Sequence, residues 1–543
     1  MNQIGKMFWP KLNHRQITCP NRPKNYLRRS QPNIWHLAIV MVLTVALVWG
    51  IPAFPAAAKP TDNAAATTSI RPYLDRVIQK VTEFRLDNGL KFIVLERHQA
   101  PVVSFLTYAD VGGVNEPIGK TGVAHFLEHL AFKGTTQIGT KNYEAEKQLL
   151  EKLDQTNNRI KAAKQSDRSE EVEKLQAEFA QLQAEAAKYT IQNQFGQIVQ
   201  QSGGVGLNAT TSADATRYFY SFPANKLELW MSLESERFLE PVFREFYKEK
   251  QVILEERRLR TDNSPIGKMV EVFLDKAFQV HPYRQPVIGY PEDLQNLTRA
   301  DVRNFFETYY TPNNMTIAVV GDVDPAEVKR LAEIYFGRYP AKPNPPAVAE
   351  VEPPQSEPRE ITVRLPTQPW YLEGYHRPAI TDADNAVYDM MASILSDGRT
   401  SRLYKSVVEQ KQVALNAQGF SGFPGNKYPN LMLFYALTAP GHTVAEVASA
   451  LHTEIERLTR EPVSDLELER AKTKARADLL RSLDSNSGMA SLLVEYQVKT
   501  GSWRNLFKQL EAIETVTPED IQRVAISTFV PANRTIGRLL PAE

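Results

Sequence analysis

Residues 122–135 read Gly-Val-Ala-His-Phe-Leu-Glu-His-Leu-Ala-Phe-Lys-Gly-Thr. No proline interrupts them, and from Gly122 to Phe132 the run has the composition of a helix. His125 and His129 are spaced i and i+4, so they share one face, with Glu128 beside them. Two neutral imidazoles are good ligands for zinc, and a catalytic zinc keeps one position open for water. A neighbouring carboxylate can take that water's proton. The order His-x-x-Glu-His inverts the commoner zinc-hydrolase helix motif. A buried helical histidine is ordinarily a hydrogen-bonded core residue. Two of them with a glutamate in one turn argue for a metal.

A third protein ligand is then required, on another element. The segment Lys248-Glu-Lys-Gln-Val-Ile-Leu-Glu-Glu256 offers Glu249, Glu255 and Glu256 on one expected helix. Glu249 and Glu256 are seven apart and share a face, while Glu255 points about 100° away from Glu256. Periodicity does not choose between those faces.

Further out, the chain has the dimensions of a multidomain protein, because 543 residues exceed what one core supports. Its 42% apolar and 23% charged content is ordinary for a globular fold. The net charge of +1 is unevenly spread. Lys6, Lys11, Arg15, Arg22, Lys24, Arg28 and Arg29 crowd the first 35 residues with no acid, so the remainder is net acidic. That argues against nucleic-acid binding. The basic stretch leads into an apolar run, Leu37 to Trp49, and then Ala56-Ala-Ala58. Residues 1–58 therefore read as an export signal cut after Ala58, or as a retained membrane anchor, since Ile34 to Ala58 carries no charge. Arg28-Arg29 is a weak hint of twin-arginine export. The expected location is the periplasm or an equivalent lumen, with a tether if the anchor is retained. The single cysteine, Cys19, precedes the apolar run, so a mature chain has no disulfide.

Residues 59–79 read as an unstructured lead-in. A hairpin follows, turning at Asp87-Asn88-Gly89, and then a strand from Pro101 to Ala109. Residues 145–189 lack glycine and proline. Val172, Leu175, Phe179, Leu182, Ala186 and Tyr189 are spaced alternately three and four apart, opposite Leu150, Leu153, Asn157 and Ile160. This predicts an antiparallel coiled-coil hairpin turning at Gln165 to Ser169, an element suited to reaching a partner or gating a cavity. Gly203 to Ser212 reads as a glycine turn entering a strand. Seven prolines between 340 and 358 mark a semi-rigid linker. Arg534-Thr-Ile-Gly537 echoes Met315-Thr-Ile-Ala318, and each follows a comparable helix, Thr517 to Phe529 and Thr298 to Tyr310. The fold expected is α+β, with two homologous halves at 80–339 and 359–543. Each half carries a mixed or antiparallel sheet flanked by helices, and together they form a clamshell.

Gly122 to Thr135, Leu207 to Phe219 and Glu249 to Glu256 together resemble the pitrilysin/insulinase family of zinc peptidases, over about residues 80–540 apart from the 145–189 hairpin. The likeness is to its smaller subunits, such as the mitochondrial processing peptidase β subunit and bacterial relatives. The resemblance implies one zinc per chain held by His125, His129 and Glu256, with Glu128 as general base. It makes Glu249 a carboxylate that orients a ligand, and Asn208-Ala209 the edge segment that meets substrate backbone. It implies a zinc endopeptidase acting on extended peptides; the alternative is a non-catalytic peptide-binding or assembly subunit of the same fold. Two departures stand out. The interval from His129 to Glu256 is long, mostly because of the hairpin. The family's Arg/Tyr pair in the other half falls on Val408 and Leu415, with Arg402 and Tyr404 nearby but out of register. That implies a homologous partner subunit supplying the pair.

Overall fold

A computed structural model describes residues 71–542, so the segment read as signal or anchor lies outside the described residues. Residues 74–543 cluster as one compact unit. Its first half runs α1 (Arg71–Lys80), β1 (Val81–Arg85), β2 (Lys91–Glu96), β3 (Val102–Ala109) and α2 (Val123–Leu130). It continues through α3 (Tyr143–Gln165), α4 (Ser169–Ala187), α5 (Gln194–Gln201), β4 (Val205–Thr211) and β5 (Thr216–Pro223). Then come α6 (Leu227–Leu239), α7 (Phe246–Arg257), α8 (Pro265–Ala277), α9 (Pro291–Asn296), α10 (Arg299–Tyr309), β6 (Met315–Gly321) and α11 (Pro325–Tyr335). The second half holds β7 (Arg359–Arg364), β8 (Trp370–Arg377), α12 (Asn385–Ser396), β9 (Ala414–Phe423) and β10 (Asn430–Thr438). It closes with α13 (Val444–Arg460), α14 (Asp465–Asp484), α15 (Asn486–Thr500), α16 (Asn505–Thr515), α17 (Pro518–Thr528) and β11 (Arg534–Leu540).

The lead-in reading fails at its end, because residues 71–80 are the helix α1. Leu74, Val77 and Ile78 are spaced for one helical face, and Leu74 is buried. The segment is too short and too charged for that pattern to stand out in sequence.

The two sheets repeat one another. The first has the order β1-β2-β6-β3-β5-β4 and the second β7-β11-β8-β10-β9. Without β1 the orders correspond strand for strand, including a single parallel pair in each, β2 with β6 and β7 with β11. The echoing segments are β6 and β11, and each preceding helix begins with the same capping box, Thr298 with Asp301 and Thr517 with Asp520. One core lies between the first sheet and its own helices, and another lies between the second sheet and its own.

The opposite sheet faces are covered by exchange. Helix α8 of the first half packs on β7 and β11, and α15 of the second half packs on β3 and β6. The approach of α8 is close: a Cβ on Gly537 would press on Met269 Cε and lie 2.9 Å from Phe273 Cδ2. Buried ion pairs join the same junction, Lys499 to Asp214 at 3.1 Å and Arg217 to Glu495 at 3.6 Å.

The hairpin forms from α3 and α4, with the expected seam residues buried or half-buried. It lies against the body. Leu150, Leu153 and Ala186 cluster with Val242, and Arg244 pairs with Glu146 at 2.9 Å. The proline-rich segment has neither helix nor strand and is pinned rather than loose. The Glu352 carboxylate accepts the N–H groups of Gln279, Val280 and His281 at 2.8–3.0 Å.

Candidate metal centre

Helix α2 buries Val123, Ala124, Phe126, Leu127 and Leu130 in the first core, which turns His125 and His129 toward α7. Stacking of Phe126 on Phe246, at 4.8 Å between centroids, fixes the two helices side by side. The start of α2 has no cap of its own. Glu116, upstream on the β3–α2 loop, reaches back to accept the Gly122 and Ala124 N–H groups, each at 2.8 Å. Burial pushes the Glu116 pKa up to about 8, against the pull of those two donors.

Across from the histidines, α7 presents Glu256. Its Oε2 lies 3.5 Å from His129 Nε2, and its Oε1 lies 3.9 Å from His125 Nε2. His125, His129 and Glu256 are the one group of three such side chains, among the described residues, placed to share a metal ion, with ligand atoms within 4.8 Å of one another. Ligands on a tetrahedral zinc sit about 3.4 Å apart, given bonds of about 2.1 Å. The donor set, two imidazoles and one carboxylate, is one that catalytic zinc uses. Burial, aided by the charges of His129 and Arg260, holds the His125 pKa well below the ordinary value, so its ring is neutral and able to donate a lone pair. Its buried Nδ1 has no partner among the described residues. The residues fit zinc.

The face left open by periodicity is resolved here. Glu255 is exposed and pairs with Arg258 at 2.5 Å, pointing away from the histidines. Glu249 lies one step further out, with its Oε1 2.9 Å from His129 Nδ1 and its Oε2 2.6 Å from Lys133 Nζ. Burial opposes ionisation of Glu249, but the His129 and Lys133 contacts outweigh it and hold the pKa at about 2. The charged carboxylate fixes the His129 ring and leaves Nε2 facing Glu256. Burial also disfavours a charged His129. The Glu249 hydrogen bond and the Glu256, Glu128 and Glu249 charges outweigh it and raise the pKa.

Glu128 sits one residue ahead of His129 and accepts a hydrogen bond from Thr211 Oγ1 at 2.5 Å. Burial raises its pKa against that hydrogen bond. Thr211 ends β4, so the carboxylate lies at the end of an edge strand. On that strand Asn208 is exposed and Ala209 buries its methyl. In the second half, Val408 is half-buried against the core, and Leu415 is 53% exposed at the start of β9. Arg402 is taken up by Glu467, at 2.9 and 3.1 Å.

Glu116, Lys133, Thr211 and Arg260 are site residues that sequence reasoning missed. Glu116, Lys133 and Thr211 act across a loop, a helix pair or a strand whose closure no local spacing announces, whereas Arg260 stands four residues after Glu256, a spacing the sequence does offer. For Glu116 the one available signal is an acid shortly before a helix that opens on glycine.

Comparison with known proteins identifies the family. The insulinase (peptidase family M16) sequence model matches residues 91–187, and the peptidase M16 inactive domain model matches residues 296–475. The zinc protease PqqE of Helicobacter pylori is 30% identical over 466 residues, covering 84% of this chain and 92% of that protein. A probable mitochondrial-processing peptidase β subunit of Schizosaccharomyces pombe is 26% identical, covering 84% and 90%. The crystal structure of a Helicobacter pylori protease superposes with a TM-score of 0.72 at 28% identity, covering 85% of this chain and all of that one. This chain belongs to the insulinase family, peptidase family M16.

Proposed function

We propose that this chain is the zinc-bearing subunit of an exported endopeptidase that cuts extended or unfolded peptides. The observation that carries the reading is the convergence of His125, His129 and Glu256 beside a half-buried Glu128. His125, His129 and Glu256 would hold one zinc. When bound, zinc supplies Lewis-acid polarisation of a carbonyl and acidifies water. Glu128, held by Thr211, accepts the proton of the attacking water and returns it to the leaving amine. Its raised pKa moves it toward the range where a carboxylate can do both. Glu249 keeps His129 in one tautomer and one orientation.

The peptide would add as a strand to the free edge of β4. Because Ala209 buries its side chain, that residue can meet the peptide only through its backbone. Backbone pairing recognises extension rather than sequence, which suits unfolded substrates. Val408 and Leu415 offer neither a cation nor a phenol, so a homologous partner chain is proposed to supply the Arg/Tyr pair. Export is proposed from residues 1–58. Among the described residues, no helix is long and apolar enough to cross a membrane.

The test uses the chain assembled with a partner of the same fold, an unstructured fluorogenic peptide and metal analysis. Glu128→Gln should retain zinc and lose at least ~10²-fold in kcat, as expected when a general base is removed. Glu256→Gln should lower zinc content. Turnover retained in the first variant, or unchanged metal in the second, would sink the assignment. The chain alone should be nearly inactive until a partner of the same fold is added.

A further inference from the structure

The five residues after α7 leave the α-helical ladder. Arg258–Asp262 form a π-turn, closed by the Asn263 N–H on the Arg258 carbonyl at 2.7 Å. Such turns are uncommon and concentrate at functional sites. This one is held from two sides. Arg257, 1% exposed, donates to the Gly289 carbonyl at 2.6 Å and pairs with Glu271 at 2.8 Å. From the other side α8 comes so close that a Cβ on Gly267 would lie 2.0 Å from the Arg260 carbonyl oxygen.

The wide turn carries the Arg260 side chain back over Glu256. One guanidinium nitrogen lies 2.7 Å from Glu256 Oε1, which stands 3.9 Å from His125 Nε2, while Oε2 lies nearer its histidine, 3.5 Å from His129 Nε2. The two oxygens of this carboxylate therefore have different neighbours.

We infer that Arg260 is a positioning residue for Glu256, holding Oε1 so that Oε2 is the oxygen presented to the metal position. The inference rests on the zinc reading above. One oxygen and two imidazole nitrogens make three bonds and leave the fourth position open. A carboxylate binding through both oxygens would fill it. Orientation and charge can be told apart by sign. A cation beside a carboxylate weakens its pull on zinc, so removing the Arg260 charge alone would tighten metal binding. Removing the orientation would loosen it.

The test compares wild type, Arg260→Met, Arg260→Lys and Glu256→Gln. Zinc affinity is read by competition with a chelating indicator, and coordination by the visible spectrum of the Co²⁺-substituted chain. Arg260→Met should weaken zinc at least ~10-fold, the scale on which a group that orients a ligand acts. Its Co²⁺ absorption should fall toward that of a five-coordinate ion, with Arg260→Lys in between. Arg260 is 32% exposed, and circular dichroism checks that its variants fold. Gly267→Ala, which displaces the turn but keeps the arginine, should reproduce the weaker binding. If Arg260→Met binds zinc as tightly as wild type or more tightly, with an unchanged Co²⁺ spectrum, the inference is overturned. If Glu256→Gln also keeps zinc, the ligand assignment itself fails. If only Glu256→Gln loses zinc, the loss of Arg260's role stands alone.

Discussion

Glu116 caps the metal helix from outside it, leaving the buried N–H groups of Gly122 and Ala124 dependent on one carboxylate. Glu116→Ala should strand both donors at about 1–3 kcal/mol each. The expected readouts are a lower melting midpoint and a lower zinc content together. A variant that melts earlier but keeps full zinc would limit Glu116 to fold stability. At this scale the sequence was most readable where the chemistry is local. His125, Glu128 and His129 occupy one turn, and their spacing alone names a face. Glu256 was ambiguous beside Glu249 and Glu255, because a helix offers every face until something packs on it. The burial of Phe246, Ile253 and Arg257 decides which face of α7 turns inward.

Helix α14 shows what a cap contributes at the scale of an element. Ser464 accepts the Glu467 N–H, and the Glu467 carboxylate accepts from the Ser464 N–H and hydroxyl. Arg402 adds a two-pronged contact to the same carboxylate. The Arg402 contact above all, and the Ser464 donors after it, outweigh burial and hold the Glu467 pKa at about 2. A carboxyl depressed in the folded state stabilises above its unfolded pKa, about 4.5, and loses that contribution as pH falls toward about 2. Glu467→Gln should therefore lower the melting midpoint at pH 7 by the equivalent of about 1–2 kcal/mol, after solvent screening. The gap from wild type should close between pH 4.5 and pH 2, and a constant gap would refute the electrostatic origin. The hairpin marks the limit of legibility for elements. Its heptad spacing predicted two paired helices, but spacing says nothing of what the outer faces touch. Phe179 packs edge-on against Tyr247 at 4.9 Å, and the Tyr247 hydroxyl donates to Asp154 at 2.9 Å. The hairpin thus leans on the first turn of α7, the helix whose last turn carries Glu256.

For the whole molecule the repeat was legible because β6 and β11 kept their sequence echo and their preceding caps. The exchange of α8 and α15 was not, since an apolar helix face looks the same whichever sheet it covers. Lys499 lies in that junction, 1% exposed, 3.1 Å from Asp214 and 3.2 Å from Glu495. Lys499→Met would leave the buried Asp214 without its cation and Glu495 with Arg217 alone, at a cost of about 3–5 kcal/mol. Thermal unfolding should begin earlier, and the 340–358 segment should become the first site of limited proteolysis. Adding Asp214→Asn should restore part of the loss, because the two positions share one network. Strictly additive losses would show that the pair does not couple the halves.

The exchange also sets an order of events during synthesis. Domains ordinarily fold as they leave the ribosome, amino-terminal first. Here Leu106, Tyr108, Ala318 and Val320, on the face of the first sheet away from its own core, wait for α15, which begins at residue 486. Until almost the entire chain has emerged, the half that carries the histidines has one oily side with nothing on it. Such a polypeptide stays unfinished for most of its translation, a state that would suit the export proposed above. The amino-terminal half made alone should be a poor soluble protein.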